Sequence, residues 1–546
     1  MIKILIRQSK RDYYANFFEE NKSDTKKTWE GIRNIVNISK KNRVVPVQIK
    51  YNNEIKTDKS DMAHSFNEFF VGIGNMVENK IPKSKKHFSE FLGNSSPNTI
   101  FLKPVEIEEV FCMILKLKPS KACGPNSIPS SLLKTHSASL SEPLKEILNM
   151  SLTEGIFPDL LKDADVCPIY KKKDKDKCEN YRPISLLSNV SKLFERAMHT
   201  RLYDFIENSG KFYDKQFGFR KKYSTNHALL SIVEGIREKL DNKTFVCGVF
   251  IDLEKAFDTV NHQILIQKLE HYGIRGIANQ WFSSYLSSRR QKVRLEDTYS
   301  QYLNVSCGVP QGSILGSLIF LIYINDMRNA VKHSVVYHFA DDTNLLCSDK
   351  DPSQLRLKMN DDLKKIFEWL CSNRLSLNVS KTEFIIFNPA KKNLRERITL
   401  KLNGTTLYES SKIRYLGLIM DDRLTWKYHI SELTKKLNKS IGIIFKIKKL
   451  CSQRILMSLY FSLVHSYLNY GACVWGNAAE IHLNKVRILQ KKIIRIIANA
   501  EYCDHSSPLF KELKILKFDD ILKMQLACLM FDFDQGNLPE CFNYFF

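Results

Sequence analysis

With 546 residues the chain is too long for one ordinary domain, and two to four structural units are expected. Hydrophobic residues make up 43% and aromatic residues 11%, which is enough for packed cores and excludes global disorder. Lysine and arginine total 83 against 59 acidic residues, and the formal net charge of +24 points to a polyanionic partner, nucleic acid first, with a solubilising basic surface as the bland alternative. The 13 cysteines are scattered and contain no Cys-x-x-Cys pair. Cys503-Asp504-His505 is a lone Cys-x-His, short of a zinc site, so a reducing intracellular compartment is the better reading. Met1-Ile-Lys-Ile-Leu-Ile-Arg7 is too short an apolar run for a signal peptide, and no stretch approaches a membrane span, so no membrane partner is expected.

In chain order, residues 1–95 are rich in Lys and Asn and carry helical patches such as Met62-Ala-His-Ser-Phe66-Asn-Glu-Phe69-Phe70, which predicts a helical N-terminal extension ending near Pro97. From about residue 100, Gly, Pro and short apolar runs multiply, as in a mixed α/β body. The run Lys171–Lys177 is of mixed sign and reads as a solvated loop. An apolar strand, Phe245 to Ile251, delivers Asp252 at its C-terminal end. Next comes Gly308-Val-Pro310-Gln311-Gly312-Ser313, a tight turn before the helix-like run Leu315 to Ile324, with an ordinary loop as the plain alternative.

Two acidic residues then stand back to back. Ser334–Phe339 and Thr343–Cys347 read as strands flanking a two-residue acidic turn, Asp341-Asp342. Adjacent like charges between buried strands are costly unless a cation neutralises them, and carboxylates without His or Cys neighbours suit a hard divalent ion. Three carboxylates on one sheet edge, Asp252, Asp341 and Asp342, can hold two Mg²⁺ ions about 3.5–4 Å apart for an in-line displacement at phosphorus. Beyond Trp426 the texture turns helical. Ile430, Leu433, Leu437, Ile441, Ile444 and Ile447 form an apolar stripe, and the lysines between them, like those of Lys485–Arg495, offer a groove for a nucleic-acid backbone.

The ordered set Tyr181-Arg182-Pro183-Ile184-Ser185-Leu186, Gln216-Phe217-Gly218-Phe219-Arg220, Asp252 to Asn261, Gly308 to Gly316, Phe339 to Asp342, Leu377-Asn378 to Lys381-Thr382-Glu383, and Tyr415-Leu416-Gly417 resembles the reverse transcriptases of non-long-terminal-repeat retrotransposons. Within them it is most similar to the jockey and CR1-like LINE elements, over roughly residues 100 to 480. The resemblance implies an α+β right-hand polymerase with an antiparallel-sheet palm. Its fingers would span 96–245, interleaved with the palm in a reverse transcriptase domain of about 160–425. The palm would span 246–425, a helical basic thumb 426–500, and a C-terminal segment, open to truncation, 501–546.

The same resemblance assigns roles. Asp252, Asp341 and Asp342 match the metal-binding catalytic aspartates, with the Leu253 carbonyl as an added ligand. Phe257, beside Ala256 in the nucleotide site, matches an aromatic gate that excludes a 2′-hydroxyl; viral RNA-dependent RNA polymerases carry a second Asp there. Gln311 and Gly312 match the loop contacting the incoming nucleotide and template base. Arg182 and Arg220 match finger residues on the triphosphate, Lys381 a donor of a proton to the pyrophosphate leaving group, and Tyr415-Leu416-Gly417 the primer grip. Implied cofactors are two Mg²⁺ ions, with Mn²⁺ as a substitute. Implied partners are template RNA, primer DNA and deoxynucleoside triphosphates, in a ribonucleoprotein with element RNA and in nuclear and cytoplasmic locations.

Two departures stand out. Relatives have Pro at the place of Ser317, where Ser is expected to cap a helix. The endonuclease that relatives carry N-terminally is expected to be absent from this chain. Lys121–Pro129 reads as a finger motif or a plain turn, and Lys40-Lys41-Asn-Arg43 is too slight for a targeting signal. The alternatives are a catalytically decayed nucleic-acid-binding remnant and a group II intron-type reverse transcriptase. The latter would not be expected to show Gly308–Asp326 or Tyr470–Gly476 in this form.

Overall fold

The computed structural model describes residues 2–36, 46–119, 124–125, 128–389 and 398–543. Most of the Lys121–Pro129 motif and all of Lys40–Arg43 lie outside them. Every residue of the strand Phe245–Ile251 is buried, because this strand is the centre of a five-stranded sheet and is covered on both faces. It pairs antiparallel with Asp342–Asp349 on one side and with Glu383–Phe387 on the other. Val335–Phe339 closes one edge antiparallel, and the short strand Tyr408–Glu409 closes the other in parallel. The sheet is therefore mixed, where an antiparallel one was expected; Tyr408–Glu409 returns in the same direction as Glu383–Phe387 after an intervening excursion through Lys401–Thr406.

Side chains alternate across the central strand as a strand's two-residue period requires. Cys247, Val249 and Ile251 join a core with the helices Ile314–Ile324 and Pro352–Ser372, while Val246 and Phe250 join a second core under Thr225–Asp241 and the C-terminal helices. The N-terminal 95 residues are not purely helical. Helices Ile2–Glu20, Thr25–Val36 and Lys59–Glu78 are interrupted by a hairpin, Ile49–Tyr51 with Glu54–Lys56. Met62, Phe66 and Phe70 of the third helix pack on a second mixed sheet, against Val166, Tyr181 and Val293. In that sheet Ala164–Tyr170 pairs antiparallel with Tyr181–Leu186 and parallel with Arg290–Leu295.

Beyond residue 426, Lys427–Ile447 buries Ile430, Leu433, Leu437, Ile441, Ile444 and Ile447, and Glu480–Ile497 lies along it. Phe518, Ile521 and Phe542 enter this same core, so residues 501–543 are integral to the helical part. Among the described residues no helix is long and apolar enough to cross a membrane.

One charged pair lies wholly inside the larger core. Lys268 Nζ contacts Asp326 Oδ1 at 2.5 Å and donates to the Tyr323 carbonyl at 2.6 Å, while Trp369 Nε1 donates to Asp326 Oδ2 at 3.2 Å. Burial pulls the Lys268 ammonium down, with the Asp326 charge opposing it. Asp326→Ala strands that ammonium, and chemical denaturation should show a loss of about 3–5 kcal/mol, whereas a Lys268→Met/Asp326→Leu double variant should recover most of it.

Candidate active site

The register of the central sheet brings the predicted acidic residues to one end of it. Thr343 pairs with Ile251, so the next position outward sets Asp342 beside Asp252. The turn itself is Ala340-Asp341, since Asp342 already pairs with Phe339 as the first residue of its strand. This corrects the expected Asp341-Asp342 turn, and the physical reason is the backbone of Ala340. Its φ of +56° gives the tight reversal that a two-residue hairpin needs.

Ala340 has no glycine's freedom, and the segment Gln216-Phe217-Gly218 holds it in place. Gln216, buried to 2% exposure, accepts from both Gly218 N (2.8 Å) and Ala340 N (3.1 Å) through Oε1. Phe217 N donates to the His338 carbonyl at 2.9 Å and His338 N to the Lys215 carbonyl at 3.0 Å, which adds a short parallel bridge. A Cβ on Gly218 would stand 2.3 Å from Ala340 N, so only glycine allows the approach.

The acidic end is electrostatically crowded. Burial raises Asp341, the Asp252 charge adds to it, and Arg182 and Lys171 oppose. Burial, then the charges of Asp341 and Asp252, lifts Asp342 to about 6 although the residue lies at the solvent rim. Lys381 Nζ sits 2.7 Å from Asp252 Oδ2, where an ammonium stands in for a cation. It is brought there because Asn378 N donates to the Asp252 carbonyl (2.9 Å) and Glu254 N to the Ser376 carbonyl (2.9 Å). Leu253 lies between those bonds, opposite Leu377, and its own N–H and C=O take no part in them. An all-oxygen donor set with a cation already drawn to it fits a hard divalent ion.

The three carboxylates do not close to metal-chelating distance of one another. Among the described residues the group that does, with ligand atoms within 4.8 Å, is His333, Asp361 and Asp362. It lies before the start of the Val335–Phe339 strand, at the far end from Asp341, and could take a cation. Asp362 there already accepts from the backbone amides of Lys332, His333 and Ser334, and Asp361 pairs with Lys365.

Phe257 follows Asp252 in a short 3₁₀ turn, Ala256–Asp258, in which Ala256 is buried. Its ring stacks on Phe320 at 4.4 Å between centroids and meets Phe219 edge-on at 6.4 Å. The turn is tied to the Gly308–Gln311 loop by Val309 N to the Phe257 carbonyl (2.8 Å), Gly308 N to the Val260 carbonyl (2.8 Å) and Gln311 Nε2 to Asp258 Oδ1 (2.7 Å). Ser185 N in turn donates to the Gln311 carbonyl at 2.9 Å, and a Cβ on Gly312 would meet the Ser185 carbonyl at 2.3 Å. Helix Ile314–Ile324 is capped by Ser313, which accepts from Gly316 N at 2.9 Å. Ser317 is thus inside the helix and does not cap it.

Arg220 departs from its expected role. Its guanidinium bonds Glu207 (Nη2–Oε1 2.6 Å) and the Tyr213 carbonyl (2.9 Å) and lies over the Tyr223 ring at 4.0 Å, with the side chain 6% exposed. It braces the Gln216–Gly218 clamp instead of facing solvent phosphates. Arg182 is exposed and acts on Asp341. Tyr415 is buried edge-on to Phe250 at 5.7 Å, and Leu416 and Gly417, at φ +42° and +87°, form the next hairpin turn, where Tyr470 OH donates to the Leu416 carbonyl. The Asp342 charge reaches Tyr415, whose hydroxyl burial pushes up.

Three residues escaped the sequence reading. Lys171 is exposed, as a solvated run requires, but it directly follows the Ala164–Tyr170 strand, and partial burial with the charges of Arg182 and Lys381 pulls it down while the Asp252 charge opposes. Glu195, fully buried, accepts from Ile314 N (2.7 Å) and Tyr285 OH (2.8 Å) and so anchors the loop from beneath; helical spacing alone gives no sign of this. Asp258 lay within the Asp252–Asn261 motif without a role.

Residues 170–420 match the family of reverse transcriptases (RNA-dependent DNA polymerases), and this part of the chain is a reverse transcriptase domain. Proteins of non-long-terminal-repeat retrotransposons are among its relatives. The chain is 30% identical over 434 residues, 76% of its length and 47% of the relative's, to a probable RNA-directed DNA polymerase from transposon BS of Drosophila melanogaster. It is 28% identical over 455 residues, 80% of its length and 49% of the relative's, to the RNA-directed DNA polymerase from mobile element jockey of the same organism. A putative COX1/OXI3 intron 2 protein of Saccharomyces cerevisiae is 27% identical, but over 161 residues, 29% of this chain and 17% of that protein. The chain thus spans about half the length of the retrotransposon proteins it matches.

Gly218→Ala forces the hairpin tip away from the Gln216 clamp. We expect primer extension to fall by up to about 100-fold, the scale of a 1 Å misplacement, while Gly72→Ala, whose Cβ meets only the end of the Met76 side chain at 3.6 Å, leaves it unchanged.

Proposed function

We propose that the chain is an RNA-directed DNA polymerase that adds deoxynucleotides to a primer 3′-hydroxyl on an RNA template. The observation that carries this is the sheet register that sets Asp342 beside Asp252, with Asp341 at the adjoining turn and Lys171, Arg182 and Lys381 around them. In this reading the central sheet is the palm, the Ala164–Tyr170 and Tyr181–Leu186 hairpin belongs to the fingers, and the helices from Lys427 to Ile497 form the thumb. Template RNA, primer DNA and deoxynucleoside triphosphates are the substrates. The element's own RNA is the natural template, which implies a ribonucleoprotein that works inside the cell, in cytoplasm and nucleus.

Asp252, Asp341 and Asp342, with the Leu253 carbonyl, would hold two divalent ions, Mg²⁺ with Mn²⁺ as a substitute, which when bound supply Lewis-acid activation and charge neutralisation. The chain's own groups do the remaining work. Arg182 and Lys171 neutralise the triphosphate, the guanidinium with a bidentate fork. Phe257, held from behind by Phe320, fills the space a 2′-hydroxyl would need. Gln311 and Gly312 face the nucleotide and the template base. Lys381 releases Asp252 as the site fills and gives the Nζ proton to the departing pyrophosphate oxygen. The Leu416-Gly417 turn supports the primer strand, and the basic faces of Lys427–Ile447 and Glu480–Ile497 follow the duplex backbone.

The extent of similarity favours the retrotransposon class over the intron class, 76% of the chain against 29%. In a primer-extension assay on an RNA template, Asp341→Asn should abolish metal-dependent extension while template binding survives; retained extension would sink the assignment. Phe257→Ala should admit ribonucleotides, and single-nucleotide incorporation of a ribonucleotide against its deoxy counterpart reads this directly.

A further inference from the structure

Arg289 is a cation shut inside the protein, 3% exposed, between the helix Ile277–Leu286 and the strand Arg290–Leu295. A buried guanidinium is costly unless anions face it. Its Nη1 donates to the Tyr285 carbonyl at 3.0 Å, and the group lies over the Tyr285 ring at 4.9 Å. Its Nη2 is sealed from solvent and meets no protein acceptor. Two buried carboxylates share its surroundings. Burial raises Glu195, and the Ile314 amide and then the Arg289 charge oppose. Asp258 lines, together with Arg289, a cavity of about 50 Å³ walled by Ser185, Cys307 and the Gly308–Gln311 loop. The Asp258 Oδ2 is likewise sealed and meets no protein donor.

The two carboxylates hold the two ends of one short segment. Gln311 Nε2 donates to Asp258 Oδ1 at 2.7 Å, and Ile314 N donates to Glu195 Oε2 at 2.7 Å. Gly312 and Ser313 lie between, and the helix Ile314–Ile324 starts there. Glu195 is tied to the residue that supports Arg289, since Tyr285 OH donates to Glu195 Oε1 at 2.8 Å while the Tyr285 carbonyl takes Arg289 Nη1. Toward Asp258 the link has to cross the cavity, which has both the chemistry and the size of a water site. A charged donor and a charged acceptor line it, each without a protein partner, and at about 10–15 Å³ for each water it has room for about three.

We propose that Arg289 is a positioning residue, a single guanidinium that balances Glu195 by way of Tyr285 and Asp258 through waters in this cavity, and so fixes both ends of the Gln311–Ile314 segment. The waters accept from Arg289 Nη2 and donate to Asp258 Oδ2, which keeps both charges solvated inside a closed structure. The charge balance stands on the geometry alone; its kinetic consequence rests on the nucleotide site proposed above, of which this segment is part. Removing the cation by itself strands two buried anions. Removing the cation and both anions together strands nothing, and that contrast separates charge balance from simple packing.

The test uses the full chain with an RNA template and DNA primer, measuring KM and kcat for single incorporation of dTTP, and unfolds the same proteins in urea. Arg289→Met, similar in length without the charge, should lower the urea midpoint and raise KM about tenfold, the worth of one or two hydrogen bonds, with kcat much less affected. A lesion that only reduced the folded fraction would lower kcat and leave KM alone. Adding Glu195→Gln and Asp258→Asn to Arg289→Met should restore both midpoint and KM. The glutamine keeps an acceptor for Ile314 N and offers its amide to Tyr285 OH, and the asparagine Oδ1 still accepts from Gln311 Nε2. An unchanged midpoint or KM in Arg289→Met, or a triple variant no better than Arg289→Met, overturns the role of Arg289. If Arg289→Met does not fold, the triple variant decides: folding with the unaltered KM upholds the role, and failure to fold or a raised KM overturns it. A crystal structure of the unaltered protein should show waters within hydrogen-bond reach of Arg289 Nη2 and Asp258 Oδ2; a dry cavity, or direct contact of the two side chains, overturns the bridge. If the unaltered protein does not extend a primer, the nucleotide reading fails, while the urea midpoints still decide the charge balance.

Discussion

Three carboxylates crowded at one end of a buried sheet set the terms for the rest of this structure. Asp252 and Asp342 are neighbours by strand register, and Asp341 follows at the turn. Burial, and then the charges of the neighbouring aspartates, raises Asp341 and Asp342. Such a site persists only if the surrounding structure holds it rigid and supplies countercharge. The protein does both. Lys171 and Arg182 approach on one hairpin and Lys381 from a distant segment, and Lys381 pairs with Asp252 directly.

Rigidity comes from the segments flanking the acidic end. On one side, Gln216 collects two backbone amides through a single oxygen, and Gly218 lets the chain pass against Ala340. Arg220, paired with Glu207 and stacked on Tyr223, braces that clamp. On the other side, the Phe257 turn and the Gln311 loop share backbone hydrogen bonds, and Glu195 anchors the loop's exit into a helix. A site that has to present like charges therefore sits between two stiff supports, each ending in a glycine-dependent close approach.

Much of this was legible before any coordinates. The apolar run Phe245–Ile251 reads as a strand ending at Asp252 and the stripe from Ile430 to Ile447 as a helix with one apolar side, and both are found. Local patterns failed where two distant segments meet. Nothing near Ala340 marks it for a positive φ, because the force that holds it comes from Gln216. Arg220 looked available for phosphate because its partner Glu207 lies on the preceding helix and the pairing is invisible in the linear motif. The hairpin at Ile49–Lys56 and the parallel edge strand Tyr408–Glu409 are too short to carry a periodic signal.

Residue order alone carries the ingredients of the site and the runs that must be buried: acidic residues at a strand end and beside a hairpin turn, an aromatic five residues past the first of them, and a Pro-Gln-Gly loop between. Those follow from side-chain chemistry and from periods of two and 3.6 residues, which are local properties. The register that sets Asp342 against Asp252, the capture of Lys381 by Asp252, the inward turn of Arg220 and the bond from Gln311 to Asp258 arise from tertiary packing. Each of these depends on where a second segment lies in space, and that placement is fixed by the packing of whole elements, not by the residues at the contact.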